Sequence, residues 1–249
     1  MIRAGALLAV LVVWGLVTYG NRALEVINPA LLPTPSDVAV AGIAMVRDGS
    51  LFVNVGVSLL RIAQGFGLAA SAALALGILV GLCPALRLML EPIVELLRPI
   101  PPLAFLPMFL VWFGLGETSK VAFIAYTTFF PMFVGIASSL LRVDVMLLRA
   151  AASLGATRAA LLRHVVLPAS LPGIVVALRV GFGLALFVIV GAEFMGADAG
   201  LGHMIMEGRV FFNPAQIVMG ALLLGALGSA VNALLLATER RVLGGRAPS

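Results

Sequence analysis

The stretch from Leu147 to Pro168 reads "LLRAAASLGATRAALLRHVVLP". It contains three arginines, one histidine and no acidic residue, and it lies between two long apolar runs. Its leucines and alanines recur at steps of three and four residues, which predicts an amphipathic helix. Gly155 interrupts this pattern, so we expect two short helices with a turn between them. One interpretation is a helix pair lying on anionic lipid head groups, which the arginines would favour.

The composition of the whole chain explains why such a segment stands out. Of the 249 residues, 62% are hydrophobic and only 11% are charged, and the mean hydropathy is +1.16. Soluble domains carry about 25% charged residues because their surface faces water. The composition therefore predicts an integral membrane protein.

Long uncharged stretches give the expected number of membrane spans. A spanning helix needs about 20 mostly apolar residues, and its backbone must form its hydrogen bonds within the segment. The sequence predicts an all-α integral membrane fold with six transmembrane helices, forming one transmembrane domain over residues 1–249. The first run has no cleavage site of the signal-peptide type, so we expect it to be retained. The six runs are Ala4–Gly20, Ile62–Leu86, Pro99–Gly116, Val121–Leu141, Val165–Ala192 and Val210–Thr238.

The distribution of charge predicts the orientation. With six spans, one side of the membrane receives the N-terminus, two loops and the C-terminus, and these hold Arg3, Arg87, Arg98, Arg142, Arg149, Arg158, Arg163, Arg240, Arg241 and Arg246. The opposite loops mix positive and negative residues. The positive-inside rule then places both termini in the cytoplasm. The pI near 10.6 therefore reflects topology, and we expect no nucleic-acid partner.

The third apolar run, "RPIPPLAFLPMFLVWFG", is unusual because it holds four prolines between Pro99 and Pro107. Proline removes a backbone donor and disturbs the preceding helical turn. The run is either a bent helix that lines a transport pathway or a kink that improves packing, and both interpretations stay open. The candidate pathway residues are Pro101, Pro102, Phe105, Pro107, Arg179 and Glu193.

Arg179 is a special case because it lies eleven residues past Pro168 within an apolar run. That spacing places it about 16 Å along a helix, near the middle of the membrane. A guanidinium there must face other helices or a wet cavity. It either eases an anion through the pathway or ties neighbouring backbone carbonyls together; the second role is favoured because a buried arginine needs several fixed acceptors.

The opening stretch also has a fixed pattern of positions. Ala150 and Ala151 are followed at set offsets by Gly155, Val165 and then "LP". This spacing resembles the EAA loop of ABC importer permeases, the cytoplasmic segment that docks on the ATPase subunit. The chain departs from the family pattern at Arg149, where the family carries an acid.

The resemblance implies a coupling loop over about residues 143–168. The ATPase-coupling residues that it implies are Arg149, Ala150, Ala151, Leu154, Gly155, Ala156, Arg158, Leu161, Leu167 and Pro168. Further stretches are similar to the nitrate, sulfonate and taurine branch of these permeases, including "LPTPSDV", "VSLLRIAQGF", "GLGETSK", "GAEFMGADAGLG" and "ERRVL".

The resemblance further implies a type I importer fold in the bacterial inner membrane. The implied partners are a second copy of the permease, two cytoplasmic ATPase subunits and a periplasmic binding protein. The expected solute is small and anionic, such as a sulfonate, taurine or nitrate. A vitamin-precursor pyrimidine or an aromatic acid stays open as an alternative.

The sequence gives no reason to expect an enzyme. The only lysine is Lys120, preceded by Ser119, so a Walker A loop cannot occur. ATP and Mg²⁺ are therefore expected on the partner ATPase, and the chain itself is expected to bind no cofactor. Cys83 is the only cysteine, and the two histidines, His164 and His203, are predicted on opposite sides of the membrane, so no metal site is expected. A stand-alone secondary transporter would need several ionisable groups deep in its spans, and the sequence suggests only Arg179.

Overall fold

The computed structural model describes residues 2–97 and 100–242, and this part of the chain is helical, without a strand. Met1, Arg98, Pro99 and residues 243–249 therefore lie outside the described residues. The helices are α1 Ile2–Leu24, α2 Pro35–Arg47, α3 Ser50–Leu82, α4 Pro84–Leu97, α5 Pro102–Phe113, α6 Glu117–Leu141, α7 Val145–Ser153, α8 Arg158–Leu161, α9 Leu167–Phe194, α10 Leu201–Val210 and α11 Pro214–Val242. A short 3₁₀ turn spans Pro29–Leu31, and a π-helical turn spans Leu162–Val166.

Four helical segments are long and apolar enough to cross a membrane: Ser50–Gly81, Glu117–Leu141, Arg158–Phe194 and Pro214–Ala237. The bent pair Ala85–Leu97 and Pro102–Phe113 makes a fifth if it crosses as one span, and Leu8–Leu24 is a shorter apolar helix. The prediction of an all-α, multi-pass membrane protein is confirmed. The count of six spans stays a prediction for α1 and for the bent pair.

The proline-rich run differs from the single helix expected over residues 99–116. Its helix α5 has only 12 residues, about 18 Å at 1.5 Å per residue, which is shorter than the roughly 30 Å hydrocarbon layer. Pro101 and Pro102 set its start, as prolines do at a first helical turn. Gly114, with φ +74°, ends it. The sequence predicted a break in this region, but the structure places the start of α5 later and its end earlier than the apolar run.

The residues form two compact units, one of Met1–Leu59 with Glu193–Leu227 and one of Leu60–Ala192 with Gly228–Ser249. In the second unit, glycines bring helices close together. A side chain at Gly77 of α3 would lie 2.6 Å from Ile136 of α6, and one at Gly135 of α6 would lie 2.6 Å from Ala177 of α9. These small residues therefore let the membrane helices approach. A single permease domain over residues 1–249 stays a prediction.

In the first unit, α2 begins at a capping box. The N-cap is Thr34, and Asp37 is the third helical residue that completes the box. The Thr34 amide and hydroxyl both donate to Asp37, and Arg22 at the end of α1 donates to it at 2.6 Å. These bonds, the one from the Thr34 amide first, hold the pKa of Asp37 below its ordinary value. The hydrogen bond from Arg22 to Asp37 thus ties α2 to α1.

Candidate coupling segment and buried polar sites

The coupling segment consists of α7, α8 and the π-helical turn that leads into α9. Asp144 caps α7 by accepting from the Met146 amide at 2.8 Å, and Thr157 caps α8 by accepting from the Ala160 amide at 3.3 Å. Between them Gly155 has φ +82°, a left-handed conformation that glycine adopts without steric cost. The predicted short helix before Gly155 and the turn at Gly155 are confirmed, but the second helix is not short, because helical structure runs without a break from Arg158 to Phe194. The π-helical turn carries no sequence signature that we recognised.

The surface of this segment is apolar as well as basic. Leu154 is 89% exposed and Met146 is 68% exposed. Of the ten predicted coupling residues, the exposed ones are Arg149, Ala150, Leu154, Gly155, Arg158 and Pro168, and the half-buried ones are Ala151, Ala156, Leu161 and Leu167. None of the ten is buried, so all are within reach of a partner. An exposed apolar patch of this kind marks an interaction surface.

The candidate pathway residues lie on several elements. Pro101 and Pro102 open α5, and Phe105 packs edge-on against Tyr126 of α6 with ring centroids 5.6 Å apart. Pro107 is exposed within α5, and Arg179 is half-buried within α9. The ring of Phe105 thus brings α5 into contact with α6.

An ion pair with one buried partner, which the sequence did not reveal, lies between α3 and α6. Arg61 donates from Nε and Nη2 to the two carboxylate oxygens of Glu117, both at 2.6 Å. The side chain of Arg61 is 4% exposed and that of Glu117 is 62% exposed. This is the bidentate geometry that makes arginine–carboxylate pairs strong. The partners are 56 residues apart, and no local pattern in the sequence marks them.

Lys120 belongs to the same cluster. Its Nζ lies 3.7 Å from Glu117 and donates to the carbonyls of Leu115 at 2.8 Å and Gly116 at 3.2 Å. The side chain is 3% exposed. Lys120 lies in the first turn of α6, and these hydrogen bonds close the turn before that helix.

A second buried polar site surrounds Glu193, which is 1% exposed near the end of α9. Ser58 of α3 donates its hydroxyl to Oε1 at 2.7 Å, and the Gly202 amide donates to Oε2 at 2.7 Å. The Leu201 amide donates to the Ser58 hydroxyl, and the Gly200 amide donates to Asn54 Oδ1, both at 2.8 Å. The start of α10 is therefore held by side chains of α3 and α9.

Gly200 is required by this arrangement in two ways. Its φ is +129°, a conformation that L side chains rarely adopt. A Cβ at this position would also overlap the Glu193 carboxylate. In the sequence, Gly200 stands out only as part of the stretch "GADAGLG", which resembles the permease family. The structure shows why this position needs glycine.

Comparisons with known proteins agree with this architecture. The chain belongs to the family of binding-protein-dependent transport system inner membrane components, whose family model matches residues 73–244. It is 36% identical to the taurine transport system permease protein TauC of Escherichia coli K12, over 96% of this chain and 87% of that protein. It is 34% identical to the putative aliphatic sulfonates transport permease protein SsuC of Bacillus subtilis 168, over 88% and 80% respectively. It is 32% identical to the bicarbonate transport system permease protein CmpB of Synechococcus elongatus, over 79% and 71%.

Solved structures share the fold. The methionine ABC transporter MetNI in an inward-facing conformation matches with a TM-score of 0.64 at 21% identity, covering 77% of this chain and 93% of that chain. An amino acid ABC transporter matches with a TM-score of 0.63 at 23% identity, covering 80% and 97%. The predicted ABC importer permease fold is confirmed, and so is the prediction that the chain is the membrane permease subunit of such a transporter.

Proposed function

We propose that this permease moves a small anion, of the sulfonate, taurine or bicarbonate type, into the cytoplasm. The chemistry of the relatives supports this substrate class, since their names describe taurine, aliphatic sulfonates and bicarbonate. Each of these solutes carries an acidic group. The proposal includes delivery by a periplasmic binding protein, location in the bacterial inner membrane and termini in the cytoplasm, as the arginine distribution predicts.

We base the proposal for coupling on the exposed apolar surface that α7 and the following turn form. Leu154 is 89% exposed at the end of a short helix that also exposes Met146 and Leu147. Leucines exposed in water stabilise a complex when a partner covers them. A cytoplasmic ATPase subunit is the proposed partner, because the segment has the spacing of the family's docking loop. Two permease copies and two ATPases would form the working unit.

ATP hydrolysis is proposed to take place on that partner. The only lysine, Lys120, is engaged with two backbone carbonyls and Glu117, so it does not project a free ammonium towards a phosphate. Within the described residues, no group of three or more His, Cys, Asp or Glu side chains could hold a metal ion. ATP and its Mg²⁺ would then act on this chain only through the coupling segment.

Co-purification with the ATPase tests the docking surface. The permease with an affinity tag is expected to retain two ATPase subunits per two permeases. Leu154→Glu is expected to release the ATPase, because a carboxylate replaces the most exposed leucine of the segment, while Leu154→Met is expected to retain it. If Leu154→Glu holds the ATPase as tightly as the unmodified chain, this surface is not the docking site.

A further inference from the structure

The N-terminus of α10 is capped by residues from other helices. The N-cap position is Gly200, which has no side chain to satisfy the first free amides. The Leu201 amide instead donates to Ser58 of α3, and the Gly202 amide donates to Glu193 of α9. Three helices are therefore joined at one point by hydrogen bonds.

Besides the hydrogen bond from Ser58 to Glu193, three backbone amides at the start of α10 make the contacts at this point. The amides of Gly200, Leu201 and Gly202 each donate one hydrogen bond, at 2.7 to 2.8 Å, to Asn54, Ser58 and Glu193. A buried polar group without a partner costs about 1–3 kcal/mol, so this set is stable only when all its members are in place. The loop must therefore follow any displacement of Glu193.

Glu193 lies at the opposite end of α9 from the coupling segment. The π-helical turn Leu162–Val166 runs directly into α9, which begins at Leu167 and ends at Phe194, one residue past Glu193. A shift imposed on the first turn of α9 can be carried along the helix, in which Pro172 removes one backbone hydrogen bond. Glu193 is the residue through which the end of α9 engages α10.

We propose that Glu193 is a positioning residue that passes the movement of α9 to α10 by holding the α10 N-terminus, and that it does so through hydrogen-bond geometry. This inference rests on the proposed function, since it requires an ATP-driven movement of α9. Glu193 then lies outside the solute pathway, whereas the sequence suggested it as a candidate pathway residue.

The inference makes a specific prediction for the amide variant. In Glu193→Gln, the side-chain oxygen can accept from the Gly202 amide while its NH₂ donates to Ser58, whose hydroxyl has two acceptor sites. The contacts survive although the charge is lost. In Glu193→Ala both contacts are lost. The two variants therefore separate geometry from charge.

The test uses the complete transporter, with its ATPase and binding protein, in proteoliposomes. Solute uptake and ATP hydrolysis are measured together for Glu193→Ala, Glu193→Gln and Ser58→Ala. Ser71→Ala is the matched control, because Ser71 also lies on α3 and donates to Gly67 of its own helix. We expect hydrolysis to continue in Glu193→Ala while solute moved per ATP falls at least about fivefold. Glu193→Gln and Ser71→Ala are expected to stay within about twofold of the unmodified protein.

The coupling measured in these variants either supports or overturns the proposed role of Glu193. Unchanged coupling in Glu193→Ala overturns it, and so does a Glu193→Gln variant that is as uncoupled as Glu193→Ala, because that result assigns the role to charge. If Glu193→Ala does not assemble, Ser58→Ala decides: reduced solute per ATP supports the inference, and unchanged coupling overturns it. Failure of the unmodified complex to take up solute with ATP would instead refute the proposed function.

Discussion

At the scale of single residues, the buried Arg61 side chain pairs with the Glu117 carboxylate. Glu117→Gln removes the negative charge that faces both Nε and Nη2 of Arg61. Because Glu117 is largely exposed, water offsets part of the loss, and we expect a destabilisation of about 1–3 kcal/mol. Thermal unfolding in detergent measures this, with Glu95→Gln, an exposed acid on α4, as the matched control.

A second substitution checks the cause of that loss. Replacing the guanidinium as well, in Arg61→Met with Glu117→Gln, is expected to recover part of the stability, because no buried cation is left without its counter-ion. Equal unfolding temperatures for Glu117→Gln and the unmodified chain would show that the ion pair contributes nothing to stability.

Gly200 gives the other prediction at this scale. Gly200→Ala places a Cβ against the Glu193 carboxylate and strains a φ of +129°, and each such strain costs on the order of 1–3 kcal/mol. We expect reduced uptake and a lower unfolding temperature. Gly183→Ala is the control, since nothing lies within 4 Å of that position. Normal uptake in Gly200→Ala would show that the loop can relax around the added methyl group.

These residues also show the limit of sequence reasoning. The turn at Gly155 was predictable because a glycine between two amphipathic segments is a local signal. The pairing of Ser58 with Glu193 joins residues 135 positions apart, and each of them alone is compatible with many environments. In the sequence, Arg179 alone stood out as an ionisable group deep in a span; the structure leaves Arg179 half-buried and buries Arg61, Lys120 and Glu193.

At the scale of elements, a substitution at Gly155, in the turn between the coupling helices, can act through the bulk of the side chain or through backbone strain. Gly155 has no neighbour within 4 Å, so bulk meets no obstacle within this chain, but its φ of +82° disfavours most side chains. Asparagine tolerates the left-handed conformation better than leucine does. We expect Gly155→Asn to keep part of the uptake and of the substrate-stimulated ATP hydrolysis, and Gly155→Leu to abolish both while the permease still inserts.

The comparison between the two variants identifies the role of the turn. Immunoblots of membrane fractions report insertion, and hydrolysis with and without binding protein reports coupling. Full coupling in Gly155→Leu would refute the docking role of this turn.

The sequence predicted the presence of the membrane helices better than their bounds and caps. The helical character of the spans follows from long apolar runs, because hydrocarbon offers the backbone no other hydrogen-bond partners. The bounds of α5 did not follow, since prolines predict a break but not which residue begins the next helix. The cap of α2 does not follow from the sequence either, because Thr34, Ser36 and Asp37 all have side chains that can cap.

At the scale of the whole molecule, the arginine distribution predicts both termini in the cytoplasm. A reporter fused after Ser249 is expected to be active as a cytoplasmic reporter, and one inserted near Asp198, in the loop between α9 and α10, is expected to read as periplasmic. Alkaline phosphatase and green fluorescent protein fusions measure the two sides. A fusion after Ser249 that reads as periplasmic would contradict the predicted cytoplasmic C-terminus.

Family membership was accessible from the sequence because the coupling segment has a fixed spacing within one loop. The specific solute was not, because substrate selection also depends on partners that this chain does not contain. The structure adds the buried sites at Arg61 and Glu193, which connect elements far apart in sequence.

The central claim is that this permease imports an anion only when a partner hydrolyses ATP. The measurement that tests it is uptake of a radiolabelled sulfonate into proteoliposomes containing the permease and its ATPase, with ATP inside and the binding protein outside. We predict uptake that requires ATP and the binding protein together and that is lost in Gly155→Leu. Uptake by the permease alone, driven by an ion gradient without ATP, would contradict the account.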